Sequence, residues 1–328
     1  MSANNEPRSP LNDSASGSVD AEVAAEARSL LTPRKVILQL VGWTLGIVLL
    51  VWIIKGAAQK GDWSRLRDAS PSLVMALLAC TVASALFNGT TFFATIQSIR
   101  KVSWMDMQLL NVTANALNYA PVRLGAVMRI LYSIRIDRLT LLQIGAWFAI
   151  IGYLLFLGIG ACILASLARS TVDVWWLLLV LGQMVVGVLA AQFFGSFPIV
   201  AKYGRGIDKM LADSRGVWIA AALRVLDLAA YTGRMAVALA ILDIHIPPTH
   251  IVILAVVALA SSLTPLGRVG VREFCVAMAA QRLSVHSEIN FDQLALVESA
   301  GEALVYIPTG LVALFWLRKK WKTSRSIN

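Results

Sequence analysis

Two short stretches of the 328-residue chain have the residue types to hold an anion: PVRLGAVMR, Pro121 to Arg129, and PLGRVGVRE, Pro265 to Glu273. Each sets a proline, glycine and charge inside apolar sequence. Proline removes a backbone donor and ends a helix, so each stretch reads as a break followed by a restarted half-helix. The first amides of such a half-helix have no intrahelical partner, and its dipole is positive at that end. That arrangement binds phosphate. Arg123 and Arg129 flank the first restart around Gly125; Arg268 and Arg272 flank the second around Gly270, followed by Glu273. Guanidinium groups match phosphate oxygens in pairs, which makes these residues candidate substrate-binding groups. The structural alternative is a helix break whose arginines reach back to the membrane surface while Glu273 complements the helix dipole from the N3 position.

Other polar groups stripe the apolar segments. Arg224, Asp227, Tyr231 and Arg234 follow spacings of 3, 4 and 3, one face of a helix. A charge at the centre of a membrane helix costs roughly 2.5–3.5 kcal/mol on insertion scales, so these residues must face protein or water. They line a pathway, or Arg224 and Asp227 form a structural pair. Glu298 and Glu302 lie four apart with Tyr306 one turn on. They are candidates for proton coupling or cation binding, or for a buried ion pair with Arg268, Arg272, Arg224 or Arg234. Asn111, Asn115 and Asn118 form a third stripe, with Asn88 a further amide, for lining a cavity or joining helices. Ser261 and Ser262 have no histidine base beside them, so no catalytic residue is assigned. Cys80, Cys162 and Cys275 lack ligand spacing, and His245 and His250 lack convergent carboxylates. No metal or cofactor is expected.

The elements that must position these groups are membrane helices. The chain is 58% hydrophobic and 15% charged, and several apolar runs reach the ~20 residues a helix needs to cross a bilayer. Six such runs are roughly Val36–Ile54, Ser72–Ile96, Leu139–Leu167, Val174–Phe197, Val217–Leu242 and Leu294–Leu317. Two more, Leu109–Tyr132 and His250–Gln281, offer only about 12 to 15 residues before their prolines, too few to cross. Residues 1–33 carry few large apolar groups and are expected to be a disordered cytoplasmic tail. A membrane domain over 34–320 follows, then a basic tail at 321–328. The net charge of +10 belongs in cytoplasmic loops of such a protein, not on a nucleic-acid-binding face.

Basic residues set the topology. If both broken segments enter and leave on one side, sixteen basic residues fall inside: Arg34, Lys35, Arg100, Lys101, Arg129, Arg135, Arg138, Lys202, Arg205, Lys209, Arg215, Arg318, Lys319, Lys320, Lys322 and Arg325. Only Lys55, Lys60, Arg65, Arg67, Arg169 and Arg282 fall outside. Passing all eight segments through the membrane destroys that asymmetry, which the positive-inside rule requires. The two prolines at the breaks, Pro121 and Pro265, are 144 positions apart. The same shift lays the spans of the first half over those of the second. The expected fold is therefore all-α and polytopic: six full transmembrane helices plus two broken re-entrant hairpins, arranged as inverted repeats over about 36–167 and 174–317. Broken helices meeting at the midplane of inverted repeats are a transporter architecture.

At these motifs the chain resembles the flippase-like integral membrane family that includes the transmembrane region of lysylphosphatidylglycerol synthase. The resemblance rests on Asn118, Pro121, Arg123, Leu124, Gly125 and Arg129, and on Pro265, Gly267, Gly270 and Glu273, and covers about residues 35–320. It implies lipid handling in a bacterial inner membrane, without the soluble aminoacyl-transferase domain of the multiple peptide resistance factors. Two positions depart from the family pattern: Ala126 stands where an acid is common, and Arg268 where a glycine is common. The functional expectation is translocation of a phosphate-bearing lipid, with an anionic or zwitterionic head group as the partner and both termini cytoplasmic. The competing expectations are a transferase acting on a lipid-linked substrate, with Glu273, Glu298 or Asp227 as base, and a non-catalytic subunit of a lipid-biosynthesis complex.

Overall fold

A computed structural model of the chain describes residues 33–61, 63–120, 124–198, 206–262, 270–283 and 291–325. The expected N-terminal tail and the motif residues Pro121, Arg123, Pro265, Gly267 and Arg268 lie outside the described residues. The described elements are helices: α1 (Pro33–Lys60), α2 (Trp63–Arg67), α3 (Pro71–Ile96), α4 (Trp104–Leu117), α5 (Leu124–Arg135), α6 (Leu141–Ala168), α7 (Val174–Gly195), α8 (Ile207–Ala212), α9 (Ser214–Ile241), α10 (Pro248–Ser261), α11 (Val271–Leu283) and α12 (Phe291–Arg325).

Six of them, α1, α3, α6, α7, α9 and α12, are long and apolar enough to cross a membrane. They coincide with the six apolar runs. α4, α5, α10 and α11 have 14, 12, 14 and 13 residues. At ~1.5 Å per residue they reach roughly 18–21 Å, short of the ~30 Å hydrocarbon core. Local chemistry marks the starts. Thr140 and Gln143 form a reciprocal capping box at α6. Asp173 accepts from the Trp176 amide at 2.8 Å to open α7. Prolines 71 and 248 begin α3 and α10, where a missing donor costs nothing.

The outside of the bundle is apolar. α7 exposes Val174, Trp175, Leu178, Val186 and Phe193, and α12 exposes Leu304, Leu311, Val312 and Phe315. A soluble monomer rarely shows such continuous apolar faces; a helix bundle in lipid does. Arg224, Asp227, Arg234, Glu298 and Glu302 of the spans are buried inside the bundle, and Arg224 and Asp227 lie at the seam of α3 and α9. These two helices run antiparallel, with Gly216 against Ala94 and Gly233 against Cys80, and form the most extensive contact among the described helices. Ser84 donates to Asp227 across the seam at 2.5 Å. Ser84 is the fourteenth of the 26 residues of α3, and Asp227 the fourteenth of the 28 of α9, so the bond lies half-way along both.

The helix ends gather in two sets. At one end Arg65 donates to the Leu242 carbonyl at 2.6 Å and Thr249 donates to that of Ser170 at 3.1 Å. At the other, Lys320 pairs with Asp106 at 2.6 Å, and Gly206 packs on Ile99. Asp137, just past α5, feels the charges of Asp106 at the start of α4 and of Arg100 in the connection before it. Gly270, just ahead of α11, presses its backbone on Gly46, the fourteenth of the 28 residues of α1. From there α11 runs beside α1, with Phe274 against Trp52 at 5.8 Å between ring centroids.

Candidate functional site

A cavity of about 320 Å³ opens at the half-way level of the α3–α9 seam. Its walls come from seven helix regions. α3 supplies Ser84, Asn88 and Phe92; the end of α4 supplies Asn115 and Asn118; α5 supplies Gly125, Ala126 and Arg129. From the second half come Arg224, Asp227 and Tyr231 of α9, Leu259 of α10 with the following Ser262, and Tyr306 of α12. Phe148, Ile151, Gly152 and Leu155 of α6 close the apolar side. The end of α4, the start of α5 and the end of α10 therefore meet at one polar chamber.

Arg129 is the distinctive group there. It is 7% exposed. One terminal nitrogen donates to Asn111 Oδ1 at 2.9 Å, and the guanidinium lies over the Phe92 ring at 3.7 Å from its centroid. The other, Nη1, has no hydrogen-bond partner, and no acid among the described residues pairs with the side chain. Asn111 is itself anchored, donating to the Ala85 carbonyl at 3.0 Å. Arg129 is thus a buried cation held by a neutral amide and an aromatic face, with one donor edge unused. An unpaired buried charge is expensive.

The other two charges on the wall are already matched. Arg224 pairs with Asp227 at 2.7 Å, and Ser84 holds the second carboxylate oxygen. This is the structural pair the i, i+3 spacing allowed. Gly125 explains its own residue type: an added Cβ would overlap the Ala114 carbonyl oxygen and crowd Asn118. The glycine lets α5 start hard against α4, which brings Arg129 alongside Asn111.

The remaining candidates form a second cluster, away from the cavity wall. Arg234 and Arg272 pair with Glu298 and Glu302: Arg272 contacts both acids through its two terminal nitrogens, and Arg234 contacts Glu298, with Glu302 at 3.7 Å. All four are 1% exposed or less, and their formal charges cancel. Arg234 also lies over the Tyr231 ring at 4.1 Å. This quartet ties α11 to α9 and α12. Glu273 is occupied as an N-terminal cap: the Gly270 amide donates to it at 2.6 Å, and Ser299 of α12 donates to its other oxygen. Gly270 adopts φ +83 and touches Gly46, so no side chain fits there.

The structure thus divides the sequence candidates. Arg129, Gly125, Arg224 and Asp227 meet at the cavity; Arg234, Arg272, Glu298 and Glu302 meet in the quartet; Glu273 and Gly270 set the start of α11. Arg123 and Arg268 lie outside the described residues. Of the asparagine stripe, Asn115 and Asn118 line the cavity while Asn111 joins helices. Ser84 and Phe92 were not singled out by the sequence, because their roles depend on partners 143 and 37 positions away. Among the described residues no group of three or more metal-ligating side chains converges. No family model and no curated protein matches the chain.

Proposed function

We propose that the protein is a lipid translocase that carries a phosphate-bearing lipid across the membrane, with the head group held in the central cavity. One observation carries this reading: Arg129, a buried cation with no acidic partner among the described residues, lines a chamber of mixed polar and apolar side chains half-way along membrane-length helices. A phosphate there would complete the donor edge that Asn111 leaves open, and the start of α5 at the cavity wall would add its dipole. The acyl chains would remain outside, against the apolar helix faces.

The architecture of this reading is two re-entrant hairpins, α4–α5 and α10–α11, in inverted halves. Three features support it. The four helices are each too short to cross. Asp137 after α5 lies near Asp106 at the start of α4 and Arg100 just before it, and α11 starts at the middle of α1 and runs toward its end. Part of the pattern of touching helices also survives exchange of the halves, although the α1–α11 and α7–α9 contacts have no exchanged counterpart of like extent. Exchange α1 with α7, α3 with α9, α4 with α10, α5 with α11 and α6 with α12. The α4–α12 contact then becomes α10–α6, and α6–α7 becomes α12–α1. Likewise α3–α12 becomes α9–α6, α3–α4 becomes α9–α10, and α5–α6 becomes α11–α12. All ten contacts occur.

The transferase reading is weaker because it needs a free carboxylate. Asp227, the acid on the described cavity wall, is engaged by Arg224 and Ser84, and Glu273 and Glu298 are engaged elsewhere. We assign the protein to a bacterial inner membrane, termini inside, and read it with the flippase-like family that its motifs resemble.

The test is lipid movement in vesicles containing the purified full chain. A fluorescent phospholipid in the inner leaflet should become accessible to an external quencher at a rate that Arg129→Ala abolishes. Movement no faster than in protein-free vesicles defeats the proposal.

A further inference from the structure

The cavity also has a charge preference, and this inference rests on the lipid reading above. The described wall carries two arginines, Arg129 and Arg224, and one acid, Asp227, for a net charge of +1. Both Asp227 oxygens are taken, at 2.7 Å by Arg224 and 2.5 Å by Ser84. An anion in the cavity therefore meets a guanidinium whose Nη1 is buried without a partner, whereas an ammonium meets no uncommitted carboxylate on the described wall. A desolvated cation beside Arg129 would meet a like charge instead.

The uncharged part of the wall is suited to hydroxyls. Asn88 and Asn118 place amides on the wall, which both donate and accept, and Ser262 adds a hydroxyl oxygen whose proton goes to the Leu259 carbonyl. At a liquid volume of about 30 Å³ per water, the cavity of about 320 Å³ has room for roughly ten waters. That suits a glycerophosphate-sized or single-sugar phosphate group, not a head group together with its acyl chains.

We propose that the cavity selects a singly anionic, hydroxyl-bearing phosphodiester head group, as in phosphatidylglycerol, over a zwitterionic or aminoacylated one. Arg129 is the selecting residue. Phosphoethanolamine and lysyl-phosphatidylglycerol heads present the phosphate together with an ammonium that the wall cannot match.

Retention of phosphatidylglycerol, phosphatidylethanolamine and lysyl-phosphatidylglycerol by the purified full chain, offered in equal amounts and read by native mass spectrometry, tests the idea. Soluble glycerol phosphate serves as competitor. A charge-assisted contact corresponds to about 10- to 150-fold in binding, so phosphatidylglycerol should lead by at least about tenfold. Arg129→Gln should erase that lead, and Arg129→Lys should keep part of it, since an ammonium keeps the charge without the planar fork. Melting of each variant identifies any that has simply failed to fold, and the comparison among lipids on the wild-type protein decides the matter without variants. Equal retention of the three lipids by the wild type, with all three lost in Arg129→Gln, overturns the charge selection and leaves the lipid reading standing. A lead that survives in folded Arg129→Gln overturns the role of Arg129. Competition by soluble glycerol phosphate at concentrations matching the lipid makes the ligand a free phosphate ester and overturns both readings, as does retention of no lipid.

Discussion

Four charges shut away from water must cancel one another. In the quartet of Arg234, Arg272, Glu298 and Glu302 they do, and removing any one leaves a charge stranded. Losing one partner of a buried pair costs about 3–5 kcal/mol. Glu298→Gln should therefore melt far below the wild type in detergent; a melting temperature unchanged within error would mean that water reaches the quartet. Arg129→Gln should behave in the opposite sense, holding or raising the melting temperature while losing activity, because it deletes a charge that has no acidic partner. Outside the membrane, burial and then the neighbouring Asp106 carboxylate push the Asp137 carboxyl up to about 6, with Arg100 working against them. The folded state thus holds this proton more tightly than the unfolded chain does. Its contribution to stability should be full below about pH 4, decline as pH rises through about 6, and be flat above. Asp137→Asn should remove that slope from melting temperatures measured across the range. Residue roles of this kind were only partly legible in the sequence. The alternative of Glu273 as an N3 group could be read from its place three residues after Gly270. That Phe92 supports Arg129, or that Gly46 receives Gly270, depends on contacts between distant segments and leaves no local pattern.

At the scale of elements, hydropathy was the strong signal. A run of ~20 apolar residues admits few structures in lipid, so the six spans emerged, although α1 and α12 run six and eight residues past the expected Ile54 and Leu317. The broken segments were legible from proline and glycine, as helices too short to cross. The tie of α11 to α9 and α12 was only one of several pairings open to Glu298 and Glu302, since spacing fixes a face and not its neighbour. The two short pairs also differ in a way their similar motifs do not announce. α11 is fastened by Arg272 and Glu273, whereas α5 is positioned by a glycine contact and a neutral amide. Gly270 marks the point where α11 must start against α1. Its φ of +83 and its approach to the Gly46 backbone leave no room for a methyl group. Gly270→Ala combines left-handed strain of roughly 1–2 kcal/mol with overpacking of about 1–3 kcal/mol. It should depress the melting temperature clearly more than an alanine at Gly182, where open space surrounds the Cβ position. Equal melting of the two variants would remove the contact from the fold's requirements.

At the scale of the whole molecule, the two sets of helix ends assign sides to the loops. Single cysteines at Ser103 and Ser214 should react with a membrane-impermeant maleimide only from the cytoplasm, and those at Ser170 and His245 only from outside. Reaction of all four from one side would break the inverted arrangement. The unmatched cation in the central cavity has a kinetic consequence. With the cavity vacant, Arg129 stands uncompensated among amides and aromatic rings, so a conformational change in that condition carries a stranded charge through the middle of the membrane. With an anion aboard, the same change carries a neutral pair. If the protein is the translocase proposed above, the vacant return would be the slow leg of the cycle, and exchange of one lipid for another would be the faster mode. Unlabelled phosphatidylglycerol in the opposite leaflet should accelerate departure of the labelled lipid several-fold. Rates indifferent to the opposite leaflet would mean that the vacant cavity turns over as readily as the filled one.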